Sequence, residues 1–401
     1  MAGPEVLFLA HRIPYPPDRG DRIRSWNLLQ ALAALAPVHC GTLVEDPADL
    51  AGGPAIAAVA ASQCLALRSG SIGWAGIAAL VTGRPVSVAA FASARLRRWV
   101  AHTLATRPIG TIFVFSGQMA HYVPADFRGR VVMDFVDVDS AKYEAYAAAA
   151  RSWWVRAIHA REGRVLSAFE ARAARRADLS LLITPEERDL FVSRLPDPAG
   201  IKVAALGNGI DAARFSPDAV TAEPGLTGPV IVFTGQMDYA PNVAAVRLFA
   251  EEVMPAIRAR HPQATFAIVG RAPTPDVRAL DGRNGTRVTG EVADVRPWLK
   301  AADLVVAPLT IARGVQNKVL EAMAMARPVL LTTAAATGIA AEDGRHFAIA
   351  DGVPALTERA LALLDARPTA MGAAARDWVI AEMGWDRVLA SLPAMVRPDA
   401  G

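Results

Sequence analysis

Residues 308–329 read PLTIARGVQNKVLEAMAMARPV. The apolar run Leu304, Val305, Val306, Ala307 precedes them and stops at Pro308. A loop then holds Arg313 and Gly314, a helix is predicted over residues 315–326, and Ala326-Arg327-Pro328 ends it before a second apolar run opens at Val329. Strand, loop, helix and strand in that order form the crossover unit of a parallel sheet. In open α/β sheets ligands gather at the carboxyl ends of strands, where the free N–H groups of a helix start and the helix dipole suit a phosphate. Lys318 lies in the first turn and adds full positive charge. Glu321, three residues on, shares its face one turn deeper. There a carboxylate can accept hydrogen bonds from the two vicinal hydroxyls of a ribose. An i,i+3 ion pair on a solvated helix stands beside this as the second reading.

The same rhythm of short apolar runs and longer helical stretches extends in both directions. In the second half, strands are predicted at 230–234, 265–269, 287–289, 304–307 and 329–332. In the first half they fall at 6–10, 112–115, 131–135 and 179–183, with helices over 21–36 and, as a pair, over 140–177. Pro217, Pro224, Gly225, Gly228 and Pro229 mark a linker. The expected division is one α/β domain over 1–216, a second α/β domain over 229–375, and a terminal helical segment, 376–401.

Composition narrows the classes. At 401 residues the chain exceeds one ordinary core, and 53% apolar content is ample for two. Lys plus Arg total 42 against 39 for Asp plus Glu, and no stripe of basic and aromatic residues accompanies that slight excess, so nucleic acid is not an expected partner. Cys40 and Cys64 sit in separate apolar segments without metal-ligand spacing; they read as buried thiols in a reducing compartment. The opening MAGPEVLFLAHRIPYPP breaks at His11-Arg12 and reads as a first strand, not a signal peptide. The longest other apolar run, 72–81, is too short to span a bilayer. A soluble, cytoplasmic chain is expected, with peripheral contact at the cytoplasmic face of the inner membrane left open. Trp153, Trp154, Ile158 and Phe169 read as a helix face packed on the domain, in preference to a membrane-docking face.

Four stretches, taken together, resemble glycosyltransferase family 4 of the GT-B fold. Residues 308–329 resemble its donor-binding motif, in which two glutamates eight positions apart precede a helix. Glu321 matches the second, which implies a nucleotide-ribose contact; the first falls on Arg313, which the departure turns toward donor phosphates or an acidic sugar. Residues 203–217, VAALGNGIDAARFSP, resemble the family's segment at the end of the first domain, with Asn208-Gly209 as a tight turn. Residues 230–242, VIVFTGQMDYAPN, resemble its strand-glycine opening of the second domain. Gly235 there lets the backbone approach phosphates, or simply makes a turn. Gln236 and Asn242 replace the usual cations, so Lys318 and Arg313 carry the charge. Residues 289–303 resemble the run whose backbone, near Glu291 and Val292, contacts the base.

The first-half loop HRIPYPPDRGD, 11–21, resembles the family's glycine loop at the donor sugar, with Gly20 opening a helix. Arg12, Arg19, Arg22 and Arg24 make it basic, suited to a phosphate-bearing or acidic acceptor or else a solvated charge run. VVMDFVDVDS, 131–140, holds three acids. Asp137 follows the position where relatives carry histidine; it acts as a base on the acceptor hydroxyl or caps the next helix. Within the family, AHRIPYPPDRGDRIRSW, DFVDVDSAKY and QNKVLEAMAM resemble sugar transferases associated with bacterial exosortase (PEP-CTERM) and exopolysaccharide systems.

The resemblance implies two Rossmann-like domains facing across a cleft and a retaining, metal-independent hexosyl transfer without cofactor. The sugar would move from a nucleoside diphosphate sugar to a glycan or lipid-linked glycan acceptor. Lys318, Arg313 and Asp137 are the candidate catalytic residues. Gly20, Gly235, Gln236, Glu291, Val292, Gly314, Asn317 and Glu321 are the candidate donor contacts, and Arg12, Arg19 and Arg22 the acceptor contacts. A nucleotide-sugar epimerase of the same fold, and a non-catalytic subunit of a polysaccharide synthesis system, are the alternatives. A dehydrogenase ranks below them, since no strand leads into Gly-x-Gly-x-x-Gly.

Overall fold

A computed structural model describes residues 3–68, 83–150, 152–223, 225–226, 228–312 and 315–397. The apolar run 72–81 and Pro224 of the predicted linker lie outside them. The chain divides into two compact units, Met1–Gly207 with Leu389–Gly401, and Asn208–Val388.

The first unit is built on a seven-stranded sheet of order β3-β2-β1-β4-β5-β6-β7. Its strands are β1 Glu5–Ala10, β2 Val38–Val44, β3 Ser62–Leu67, β4 Ile109–Phe115, β5 Arg130–Val136, β6 Leu179–Leu182 and β7 Val203–Ala205. Every pairing is parallel. Helices cover a parallel sheet on both faces, so its central strands are apolar throughout, without the alternation of a half-exposed strand. All of β1 and β2 is buried. The core centres on Leu7, Leu9, Ile112, Val114 and Met133.

The second unit has a six-stranded sheet, β10-β9-β8-β11-β12-β13. It comprises β8 Val230–Thr234, β9 Thr265–Val269, β10 Thr286–Gly290, β11 Leu304–Ala307, β12 Val329–Leu331 and β13 Ala348–Ile349, again all parallel. Phe233, Phe249 and Phe266 anchor its core. Both sheets begin at an inner strand, add two neighbours on one side, then cross over and continue on the other. The order reverses between β1 and β4 and between β8 and β11, and these are the positions where open α/β sheets hold ligands.

Two boundaries differ from expectation. Residues 208–216 belong with the second unit: Arg376 donates to the carbonyls of Ala212 and Phe215, and Ile210 N–H donates to Met383 O. The predicted terminal helix is broken into Thr369–Met383, Trp385–Val388 and Leu392–Val396, with Gly384 at the first interruption. Only residues from Leu389 group with the first unit, where Thr111 Oγ1 donates to Val396 O at 2.7 Å and Arg130 Nε to Met395 O at 2.6 Å.

Candidate functional site

The sequence of the second unit brings its chemistry to the point where its strand order reverses. Strand β8 ends at Thr234 and the chain turns at Gly235. From the neighbouring strand β11 it passes to the helix Asn317–Ala324. That helix buries Val319, Leu320, Ala322, Met323 and Ala324 against the sheet, which leaves Lys318 and Glu321 on the other face at the sheet's carboxyl edge.

Lys318 is held from two sides. Its Nζ donates to Asn242 Oδ1 at 2.6 Å and lies 4.2 Å from the centre of the Phe233 ring. Asn242 is itself buried and fixed, donating through Nδ2 to Gln236 O at 2.8 Å. Burial pulls the Lys318 ammonium down to about 8, against the pull of the Glu321 charge the other way.

Glu321 is recessed, and burial pushes its carboxyl up to about 7 although Lys318 and Arg214 draw it down. Among the described residues no protein group donates a hydrogen bond to this carboxylate. A desolvated acid without donors is costly unless something brings them. Lys318 and Glu321 are thus only partly exposed, and burial shifts both.

Gly235 is required by this arrangement. A Cβ there would stand 2.8 Å from Asn242 Nδ2 and 3.1 Å from Lys318 Nζ. On the neighbouring strand end, a Cβ at Gly270 would collide with the Gly235 carbonyl oxygen. Gly270 thus makes room for the Gly235 backbone, and Gly235 stands beside the ammonium. Arg271, next to Gly270, donates to Gln236 Oε1 at 3.1 Å and adds a second cation at this edge.

The edge continues into an open depression of about 480 Å³ lined by Pro273, Arg278, Asp281, Val288, Thr289, Gly290 and Glu291. Glu291 is exposed on its rim, and Val292 packs partly on the core. Asn317 is exposed at the helix start. Arg313 and Gly314 lie outside the described residues. Arg271, Phe233 and Arg214 escaped the sequence reading. The signal for Arg271 was a second strand-glycine, residues 266–271 FAIVGR, echoing VIVFTG at 230–235.

The first unit places its candidates at its own reversal point. Arg12 is partly exposed and paired, Nη1 with Asp21 at 2.8 Å and Nε with Glu45 at 3.0 Å. Burial works against the Asp21 charge, but His11 and Arg12 outweigh it and hold this carboxyl well below the usual range. Arg19 is exposed, at the start of the helix Gly20–Ala33. Gly20 is exposed too, and a Cβ there would meet nothing.

Arg22 and Arg24 require correction. Arg22 is 4% exposed and spans Asp18 and Asp49; Arg24 is buried, its Nε 2.9 Å from the buried Asp134. Both face inward because the helical period turns them onto the sheet with Leu28 and Leu29, so Arg22 is an internal strut and not an acceptor contact.

Asp137 and Asp139 both hold Lys142 Nζ, at 2.8 and 3.0 Å. Asp137 stands just beyond Val136, whose φ of +71° is rare for a β-branched residue. Three carboxylates fix this loop: Val136 N–H donates to Asp134, Val138 N–H to Glu187, and Ser140 N–H to Glu170. Strain retained at a strand end in this way marks a place where geometry is over-determined.

No group of three or more His, Cys, Asp or Glu side chains able to hold a metal occurs among the described residues. Nor, among them, is any helix long and apolar enough to cross a membrane.

Residues 228–366 match the family described as Glycosyl transferases group 1. No curated protein matches the chain. Solved structures of similar fold include sucrose-phosphate synthase from Thermosynechococcus elongatus, 16% identical with 98% of both chains covered and a TM-score of 0.65. Another is HepE of Anabaena in complex with UDP and glucose, 14% identical, covering 98% of this chain and 99% of that one, TM-score 0.62. A third is WaaG, described as a glycosyltransferase involved in lipopolysaccharide biosynthesis, 17% identical, covering 99% and 100%, TM-score 0.62. The fold is GT-B, and the matched domain with this fold supports a glycosyltransferase.

Proposed function

We propose that the chain transfers a hexosyl group from a nucleoside diphosphate sugar to an acceptor hydroxyl, in the synthesis of an exopolysaccharide or cell-envelope glycan. The observation that carries this is the pairing, on one helix, of a fixed ammonium beside Gly235 with a recessed carboxylate one turn away to which no described residue donates. The ammonium and helix N–H groups suit a diphosphate, and the carboxylate suits the two hydroxyls of a ribose. The depression along Val288–Glu291 is the proposed base site. UDP is the first nucleotide to try, since solved relatives of this fold carry it.

The departing diphosphate would be stabilised by Lys318, and Arg313, Gly314 and Asn317 are proposed as further donor contacts. Gln236, paired with Arg271, would line the phosphates, and Gly20 is proposed as a further donor contact. We assign acceptor binding to the first unit, through Arg12 and Arg19, and the acceptor hydroxyl to Asp137, whose position Lys142 fixes. The acceptor is proposed to be a glycan or lipid-linked glycan, the transfer to be retaining, and the cationic work to need no metal. We place the chain in the cytoplasm, in an exosortase-associated polysaccharide system.

A thermal-shift panel of nucleoside diphosphates and their sugars tests the donor. Stabilisation by one base, stronger with its sugar, is the expected result. A chain that no nucleoside diphosphate stabilises would instead be a non-catalytic subunit.

A further inference from the structure

The helix Trp153–Arg176 is longer than its packing needs. Its inner face holds Gly163, Leu166, Ala173 and Ala174 against the first unit. Its amino-terminal turns set His159 against Tyr143 and Tyr146 of the adjoining helix Asp139–Ala149, yet Trp153 is 79% exposed, Trp154 57%, Ile158 56% and Tyr146 itself 55%. Of Trp153, Trp154, Ile158 and Phe169, expected from sequence to pack, Phe169 packs partly on the core and the other three are exposed. Two adjacent tryptophans and an isoleucine in water form an apolar patch that a soluble surface normally avoids.

Charge is segregated around this patch. The helix carries six arginines and two glutamates. Both glutamates are buried and bonded, Glu162 to Val86 N–H and Ser87 N–H, Glu170 to Ser140 N–H. On the adjoining helix, Asp139 is paired with Lys142 and Glu144 with Arg194. Arg164, Arg172 and Arg175 point outward, with no exposed carboxylate on the same helix. An amphipathic helix with aromatics at one end and arginines along the same outer face is what an anionic lipid interface binds: indole rings sit at the headgroup level and guanidinium groups meet the phosphates. A second copy is a poor occupant, because a two-fold contact would set these arginines against each other.

We propose that this face docks the first unit on an anionic lipid bilayer, with the helix lying in the headgroup plane. The proposal is independent of the donor chemistry. It is tested by flotation of the full chain with vesicles of phosphatidylcholine alone and of phosphatidylcholine with roughly one-third phosphatidylglycerol. Capture by the anionic vesicles only, weakening as salt rises, is expected, with a blue shift of tryptophan emission. W153S/W154S/I158S should lower the partition coefficient at least about tenfold, and R164E/R172E should reduce capture to the level of neutral vesicles. Circular dichroism and thermal melting of the same variants report that the fold survives. Should a variant fail to fold, quenching of wild-type tryptophan emission by brominated lipid reads the same contact. A wild-type chain that stays unbound overturns the proposal. So does capture that the triple variant leaves unchanged, or a dimer in sedimentation velocity that the triple variant dissolves.

Discussion

Replacing Glu321 by Gln should make the free protein more stable and the liganded protein weaker, and the pH at which this happens is fixed by the site. Burial raises the Glu321 carboxyl from its ordinary 4.5 to about 7. A group whose folded value is raised holds a proton that the unfolded chain releases. Its contribution is fully present below about 4.5 and is lost as pH rises through about 7. At pH 8 the wild-type protein therefore bears the cost of a desolvated charge that the amide does not bear. At 1.36 kcal/mol per pKa unit the ceiling is about 3 kcal/mol. Partial solvent exposure and the lost attraction to Lys318 reduce it to roughly 1–2 kcal/mol. In a unit of this size that raises the melting temperature by roughly 3–6 °C. Near pH 5, where the wild-type carboxyl is protonated, the two proteins should melt together. The same substitution removes a charged acceptor for two hydroxyls, so affinity for UDP should fall ten- to hundredfold, about 1.5–3 kcal/mol. Scanning calorimetry at the two pH values, with UDP titrations at pH 8, makes both measurements. If E321Q melts at or below wild type at pH 8, or binds UDP equally well, the reading of this carboxylate as an acid awaiting hydroxyl donors is wrong.

Lys318→Met keeps the stem against Phe233 but removes the charge, and should cut transfer at least about a hundredfold with the fold intact by circular dichroism; wild-type turnover would remove it from the mechanism. Because burial sets this ammonium at about 8 and a diphosphate binds the charged form, affinity for UDP should decline as pH rises through that value, and a flat profile from pH 7 to 9.5 would refute the contact. Gly235→Ala should displace Lys318 and Asn242, lowering UDP affinity about tenfold and the melting temperature with it. Arg22→Ala, by contrast, leaves Asp49 without its buried partner and should destabilise the first unit by about 1–3 kcal/mol in denaturant titrations, whatever its effect on rate. Donor incubated without acceptor should return no epimerised sugar by NMR; accumulation of an epimer would favour the epimerase.

What could be read before the structure divides along physical lines. Strands buried on both faces announce themselves as apolar runs, so β1, β4, β5 and β6 and most of the second sheet were legible. Strands β2 and β3 were not, because VHCGTLV and SQCLAL mix polar residues into the run and owe their burial to neighbours already in place. Lys318, Glu321 and Gly235 were legible because helix period and strand end fix where such residues point. The acids and arginines of the first unit were not, because a charge in sequence carries no sign of its partner. Arg22 and Arg24 read as a basic loop, yet the turn of the helix brings them inward onto Asp49 and Asp134. Trp153 and Trp154 went wrong in the opposite direction: large aromatics are assigned to a core by default, and only their exposure on the folded helix shows otherwise. The two errors share a cause. Inward arginines and outward tryptophans each contradict hydropathy, and each is stable only through a partner, an internal carboxylate in one case and, on the reading argued above, a lipid surface in the other. Hydropathy assigns a residue to water or to the core one position at a time. Such exceptions become visible only when the partner, or the lack of one within the unit, is seen.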